Sequence, residues 1–417
     1  MLETTIGAAG LVVAVVAAIL AWSPQRLASR EHSVATFLRI RRHVKSRRAE
    51  LAEQCIEQQA EYRADDSLAL LTKPGWIPMQ PLPLDAVKLT LREALPQEQL
   101  HQARADLRRY WPREASKGRL ETYAAAVEAL DRPGTWFNGP SYRLLEVTPP
   151  PTDSPDAGPC LTFALGHYFD GLDTTEALAY EEALLDLRGI DDPLHGRYRR
   201  SLGGPFRLGG RAALPGVSAL TVRTEGDDAF FFMHRRDGDG VAVAMDTTHV
   251  VPAGEFQPHV NVLPVWQSDL DLWRTTMREY AEEFLGAPDA TGDGGVTLDY
   301  AHDAPYADFE RALRDGKVRV RFLGLGMDPL TWKPEICLAC VWDAEVFDRI
   351  FASMGQRNEE GTLVVGSRAR SGYRGIRFTE ENVLGYASHK ETLPAGRACL
   401  ALAWRWRREL GLSGSDR

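Results

Sequence analysis

Arg278-Glu279-Tyr280-Ala281-Glu282-Glu283 is the stretch on which the reading of this chain turns. Around it, Leu270, Trp273, Met277, Tyr280 and Phe284 recur at helical spacing, which predicts a helix from Leu270 to Leu285 with one buried stripe. Residues three and four apart on a helix are neighbours, so Glu279, Glu282 and Glu283 are expected to converge on the opposite face. Clustered carboxylates repel one another, and burying them without a counter-ion is costly. A divalent cation removes that cost. Oxygen donors of this kind suit Mg²⁺ or Mn²⁺, with substrate phosphates completing the shell. The competing reading is a solvated acidic helix face.

Working upstream, Phe230 to Arg236 reads as a strand, Asp237-Gly238-Asp239-Gly240 as a hairpin turn and Val241 to Met245 as the returning strand. Thr248 to Phe256 follows as a strand end and a loop holding Pro252, Gly254 and Glu255. A hairpin, a Pro-x-Gly loop and a helix carrying Arg-Glu-x-x-Glu-Glu resemble the Nudix hydrolases. Arg278, Glu279, Tyr280, Glu282 and Glu283 match the centre of that family's signature one for one. At its edges the chain departs from the signature. Leu285 stands where a glycine is expected, with Gly286 one later, and Pro264 and Leu270 hold the positions of the family's first glycine and first glutamate. Gly254-Glu255 is the nearest Gly-Glu pair, about ten residues too early. The stretch from Leu202 to Leu410 is also similar to a Nudix-like region of uncharacterised actinobacterial proteins, through His249 to Pro258, Arg278 to Gly286 and Phe378 to Val383.

The resemblance implies an α/β fold, a Nudix-like α/β/α sandwich with a mixed sheet. It implies that Glu279, Glu282 and Glu283 hold Mg²⁺ or Mn²⁺, that Arg278 orients a glutamate through an ion pair, and that Gly254 and Glu255 contact the ligand. The partner is then a nucleotide-type small molecule, a nucleoside diphosphate linked to a second moiety. Glu359-Glu360 is a candidate for the general base, from a late loop. Two other classes stand beside a hydrolase: a sensor that binds such a ligand without cleaving it, and a tethered interaction protein whose acidic helix is only solvated.

Ile6 to Trp22 is seventeen residues without a charge, enough with its flanking threonines to cover most of a bilayer core as a helix. Glu3 before it and no small-residue cleavage site after it read as an anchor, not a signal peptide. Arg26, Arg30, Arg39, Arg41, Arg42, Lys45, Arg47 and Arg48 follow, which by the positive-inside rule places the N-terminus outside and the body in the cytoplasm, as a single-pass protein of the cell membrane. The same basic run reads either as a stop signal or as a lipid-headgroup contact.

The 417-residue chain, 44% hydrophobic, has material for a large core. Its net charge of −9 argues against general nucleic-acid binding by the body. Five cysteines do not form a disulfide framework, and Cys337 and Cys340, three apart in an apolar strand, point to opposite faces and read as core. Four segments are expected: an anchor over 1–23, a basic juxtamembrane helical spacer over 24–72, an α+β module over 73–200 and the Nudix-like domain over 201–417. Within the third, Gln97 to Trp111, Leu120 to Leu130 and Thr174 to Leu187 read as helices, and Tyr142 to Val147 and Cys160 to Tyr168 as strands. Leu202 to Arg211, with four glycines and two arginines, has the composition of a phosphate cradle without a P-loop's Gly-Lys-Ser/Thr, and reads more simply as a connector.

Overall fold

A computed structural model of the chain describes residues 32–92, 108–114, 118–134, 136–151, 157–190, 196–236, 247–288, 297–354, 362–364, 368–369, 372–373 and 375–412. The apolar segment Ile6 to Trp22, the turn Asp237 to Gly240 with its returning strand, and Glu359-Glu360 lie outside these residues. Among the described residues no helix is long and apolar enough to cross a membrane.

The fold is mixed α/β around a seven-stranded sheet. Its strands are β1 (Leu82–Pro83), β2 (Gly216–Glu225), β3 (Asp228–Phe231), β4 (Ala253–Glu255), β5 (Val318–Met327), β6 (Pro334–Asp343) and β7 (Ile376–Arg377). They run in the order β1-β5-β6-β2-β3-β7, with β4 beside the start of β2. Only β6 and β2 pair in parallel; every other pairing is antiparallel. The middle strands are near-continuous apolar runs because helices cover both faces. On one face Tyr280 of the acidic helix (Leu272–Glu283) meets Thr221 and Trp342; on the other, Cys399 of the C-terminal helix (Pro394–Arg405) donates to the Ser218 carbonyl. Cys337 faces the C-terminal helix and Cys340 faces Tyr280, the split that strand alternation requires.

A smaller sheet of Lys88–Leu91, Cys160–His167 and Pro140–Thr148 docks against the large one. Tyr142 N donates to the Phe256 carbonyl (3.1 Å) and Leu144 N to that of Ala213 (2.8 Å), while β1 inserts at the edge of the large sheet. The boundary expected between 200 and 201 is therefore crossed by backbone pairing and by one continuous core.

The helix over 32–58 corrects the expected spacer. Phe37, Ile40, Val44, Leu51 and Cys55 form one buried stripe, and Phe37 packs among Trp111, Tyr123 and Tyr180. Four of its basic residues find acids in the body: Arg41 and Lys45 pair with Asp131, Arg47 with Asp186, and Arg48 with buried Glu176. Part of the charge that suggested a stop signal is thus consumed within the body.

The expected strand Phe230 to Arg236 is two strands. Phe232 breaks it by stacking on Phe347 (ring centroids 5.2 Å apart), so β3 stays in the large sheet and Met233–Arg236 joins Thr247–Val250 and Thr362–Val364 in another.

Candidate functional site

The acidic helix begins at Asp271, whose carboxylate caps it by accepting from the backbone N–H groups of Trp273 (2.7 Å) and Arg274 (3.0 Å). Trp273, Met277, Tyr280 and Phe284 are buried as the stripe predicts. The Tyr280 hydroxyl lies 2.7 Å from Thr221 Oγ1 and accepts from Trp342 Nε1 at 2.9 Å. Two polar contacts at the centre of an aromatic cluster fix the rotation of the helix, and so the direction of each glutamate.

Glu279 and Glu283, one turn apart, both lie against β4. The Glu279 carboxylate sits directly over Gly254, where a β-carbon would overlap it. Glu283 Oε2 accepts from Ala253 N at 3.1 Å, and its Oε1 is 3.9 Å from Nδ1 of buried His234. Glu282 is half-buried on the same helix. The three glutamates were expected to converge; among the described residues no group of three or more His, Cys, Asp or Glu is arranged to hold a metal ion. On β4, Glu283 serves the backbone of Ala253 and Glu279 covers the neighbouring Gly254.

Arg278 makes its ion pair with Asp269, on the loop before the helix. Its guanidinium donates to Asp269 Oδ2 (3.2 Å), Thr275 Oγ1 (3.1 Å), the Tyr300 hydroxyl and the Gln257 carbonyl. Burial opposes its charge, but Tyr300 and Asp269 outweigh burial and raise its pKa, with Glu279 adding to the effect. Asp269, fully buried, also accepts from the His259 backbone at 3.0 Å and contacts the His259 ring. Burial pushes its carboxyl up, yet His259 and Arg278 together hold it below the usual range. This network locks the loop before the acidic helix onto the helix. Asp269, His259 and Tyr300 were not singled out in the sequence, although Asp269 stands one residue before Leu270, where the signature asks for a glutamate.

Glu255 does not share a site with Gly254. Neighbouring strand residues face opposite sides of a sheet, so Gly254 looks to the acidic helix while Glu255 looks to the other face and pairs with Lys333 Nζ at 2.8 Å. There Glu255, Gly216 and Glu335 stand in one row across β4, β2 and β6. Ser218 Oγ links Glu335 (3.4 Å) to His249 Nε2 (3.1 Å). Burial raises the Glu255 carboxyl against the pull of Lys333 and pushes Glu335 up to about 7.

The donor chemistry by the acidic helix fits a hard cation, being carboxylate oxygen without sulfur. Mg²⁺ is commonly bound through one or two carboxylates with phosphate oxygens supplying the rest, which Glu279 and Glu282 can provide. Comparison of the chain with models of protein families and with curated proteins finds no match.

Proposed function

We propose that the acidic helix and β4 form the ligand site of a Nudix-like domain, which takes a nucleoside diphosphate linked to a second moiety with the help of Mg²⁺ or Mn²⁺. The observation that carries this reading is the seating of Glu279 on Gly254 beside the Glu283 contact to Ala253 N. It joins the sequence's Pro-x-Gly loop to its Arg-Glu-x-x-Glu-Glu helix in one place.

Glu279 and Glu282 would hold the cation, which neutralises diphosphate oxygens when bound. Glu283 and the Arg278–Asp269 pair act as positioning groups: one pins the strand to the helix, the other fixes the loop before it. The apolar segment Ile6 to Trp22 would tether the body to the cytoplasmic face of the cell membrane.

A second reading, binding without cleavage, is favoured by one observation: no group of three ligating side chains is gathered among the described residues. One experiment separates the two. The full chain is mixed with Mn²⁺ and ADP-ribose, NAD, nucleotide-sugars, dinucleoside polyphosphates or nucleoside triphosphates, and thermal shift and turnover are read together. Cleavage abolished by Glu279→Gln with Glu282→Gln identifies a hydrolase. A Mn²⁺-dependent shift lost in that variant, without cleavage, identifies a sensor. A wild-type chain indifferent to Mn²⁺ and to every ligand sinks both.

A further inference from the structure

Residues 197–224 contain six arginines and no acidic residue. Arg211, at the end of the glycine-rich stretch Leu202 to Arg211, is fully buried. Its Nη2 donates to the Pro205 carbonyl at 2.8 Å and lies 3.7 Å from Met327 Sδ, whereas Nε and Nη1 meet no hydrogen-bond partner among the described residues. Among the described residues no carboxylate pairs with it. The groups that bear on its charge are the Tyr198 phenol, which favours it, and Arg143 and Arg199, which oppose it. Arg199 has its own acids, with Glu182 at 3.8 Å and Glu181 on its backbone N–H. A buried, unpaired cation is expensive, and burial pulls the Arg211 pKa down to about 9. Arg143 donates to the Arg211 and Gly209 carbonyls at 2.9 and 2.8 Å, turning those oxygens toward itself. At Gly209 and Gly210 a side chain would meet open space, and Gly209 and Arg207 are exposed.

We propose that the loop from Gly203 to Arg211 is an oxyanion site for a phosphate-bearing ligand, with the Arg211 guanidinium as its buried anchor and Arg207 with the Gly209–Gly210 backbone as its mouth. An oxyanion supplies what Arg211 lacks, a negative charge and acceptors for its unmet N–H groups. The site is separate from the glutamates of the acidic helix and needs no cation, so it is tested in EDTA, where failure of the cation site has no effect.

The test measures backbone amide exchange over 203–211 in the full chain, together with affinity by calorimetry. The probes are inorganic phosphate, pyrophosphate, and vesicles of phosphatidylcholine with or without a phosphoinositide. Protection of the loop by free pyrophosphate, with binding about tenfold weaker in Arg211→Met for the lost charge-assisted contact, supports a soluble ligand. Protection only by phosphoinositide vesicles, again lost in Arg211→Met, supports a headgroup. Arg207→Gln, at an exposed position, is expected to weaken the same protection a few-fold and serves if Arg211→Met does not fold. The proposal is overturned if no probe protects 203–211 in the wild type, as when buried water alone satisfies Arg211, or if Arg211→Met responds like the wild type.

Discussion

A β-carbon at position 254 would have to displace the carboxylate of Glu279. That carboxylate is the far end of a flexible side chain and gives way before the backbone does. Gly254→Ala is therefore expected to change stability by no more than about 1 kcal/mol, while lowering Mn²⁺ affinity about tenfold by moving one ligand. Paired thermal melts and Mn²⁺ titrations check this; a large loss of stability with unchanged metal affinity would make Gly254 a packing residue only. On the other sheet face, Gly216 gives the same close passage to Glu335. Burial raises Glu335 to about 7 against the pull of Lys333, with Asp328 and Glu255 adding repulsion and the Ser218 hydroxyl opposing it. The folded chain thus binds this proton more tightly than the unfolded chain, whose glutamate titrates near ~4.3. Stability from this group is fully present below that value and is lost as pH rises toward about 7. Glu335→Gln should flatten that slope and leave the chain more stable than wild type at pH 8, as denaturant titrations between pH 5 and 8 would show. An unchanged slope would assign the pH dependence elsewhere.

At the scale of elements, legibility followed how completely the sequence expresses a period. The acidic helix was readable because Trp273, Met277, Tyr280 and Phe284 all face one side, and β6 was readable from the apolar strand that holds Cys337 and Cys340. The helix over 32–58 hides its packing in sequence because Phe37, Ile40, Val44, Leu51 and Cys55 keep a stripe that dense charge interrupts. Arginines between those residues read as a stop signal or a headgroup contact, and only the distant Asp131, Glu176 and Asp186 reveal their use in the fold. Gly254-Glu255 failed as a joint site for a local reason: pairing with β2 makes it a strand, and a strand separates neighbours. The long ion pair from Arg278 to Asp269 was hidden by a shift of one residue from the position the signature prescribes. The Arg211 site was visible only as composition, since burial without a counter-charge is a property of the fold.

The whole molecule depends on pieces far apart in sequence, and the helix over 32–58 is the sharpest test of that. Gln59, just after it, accepts from Trp332 Nε1 (2.7 Å) and donates to the Pro329 carbonyl (2.9 Å), holding the turn between β5 and β6. Glu50 and Glu53 pair with Lys390 and Arg397 beside and within the C-terminal helix. Fully burying a large apolar side chain contributes about 1.5–3 kcal/mol, so Phe37, Ile40, Val44 and Leu51 together match the ~5–15 kcal/mol that holds a typical domain. Removing the helix would also strand buried Glu176 without Arg48, a further cost because an unpaired buried charge is left behind. A chain beginning at Leu70 is therefore expected to lose its cooperative heat-absorption peak and the near-ultraviolet signal of Trp111, Tyr123 and Tyr180, while one beginning at His32 keeps both. If the shorter chain melted cooperatively with its aromatic signal intact, the helix would be an appendage, and the ion pairs of Arg41, Arg47 and Arg48 would be surface contacts without structural consequence.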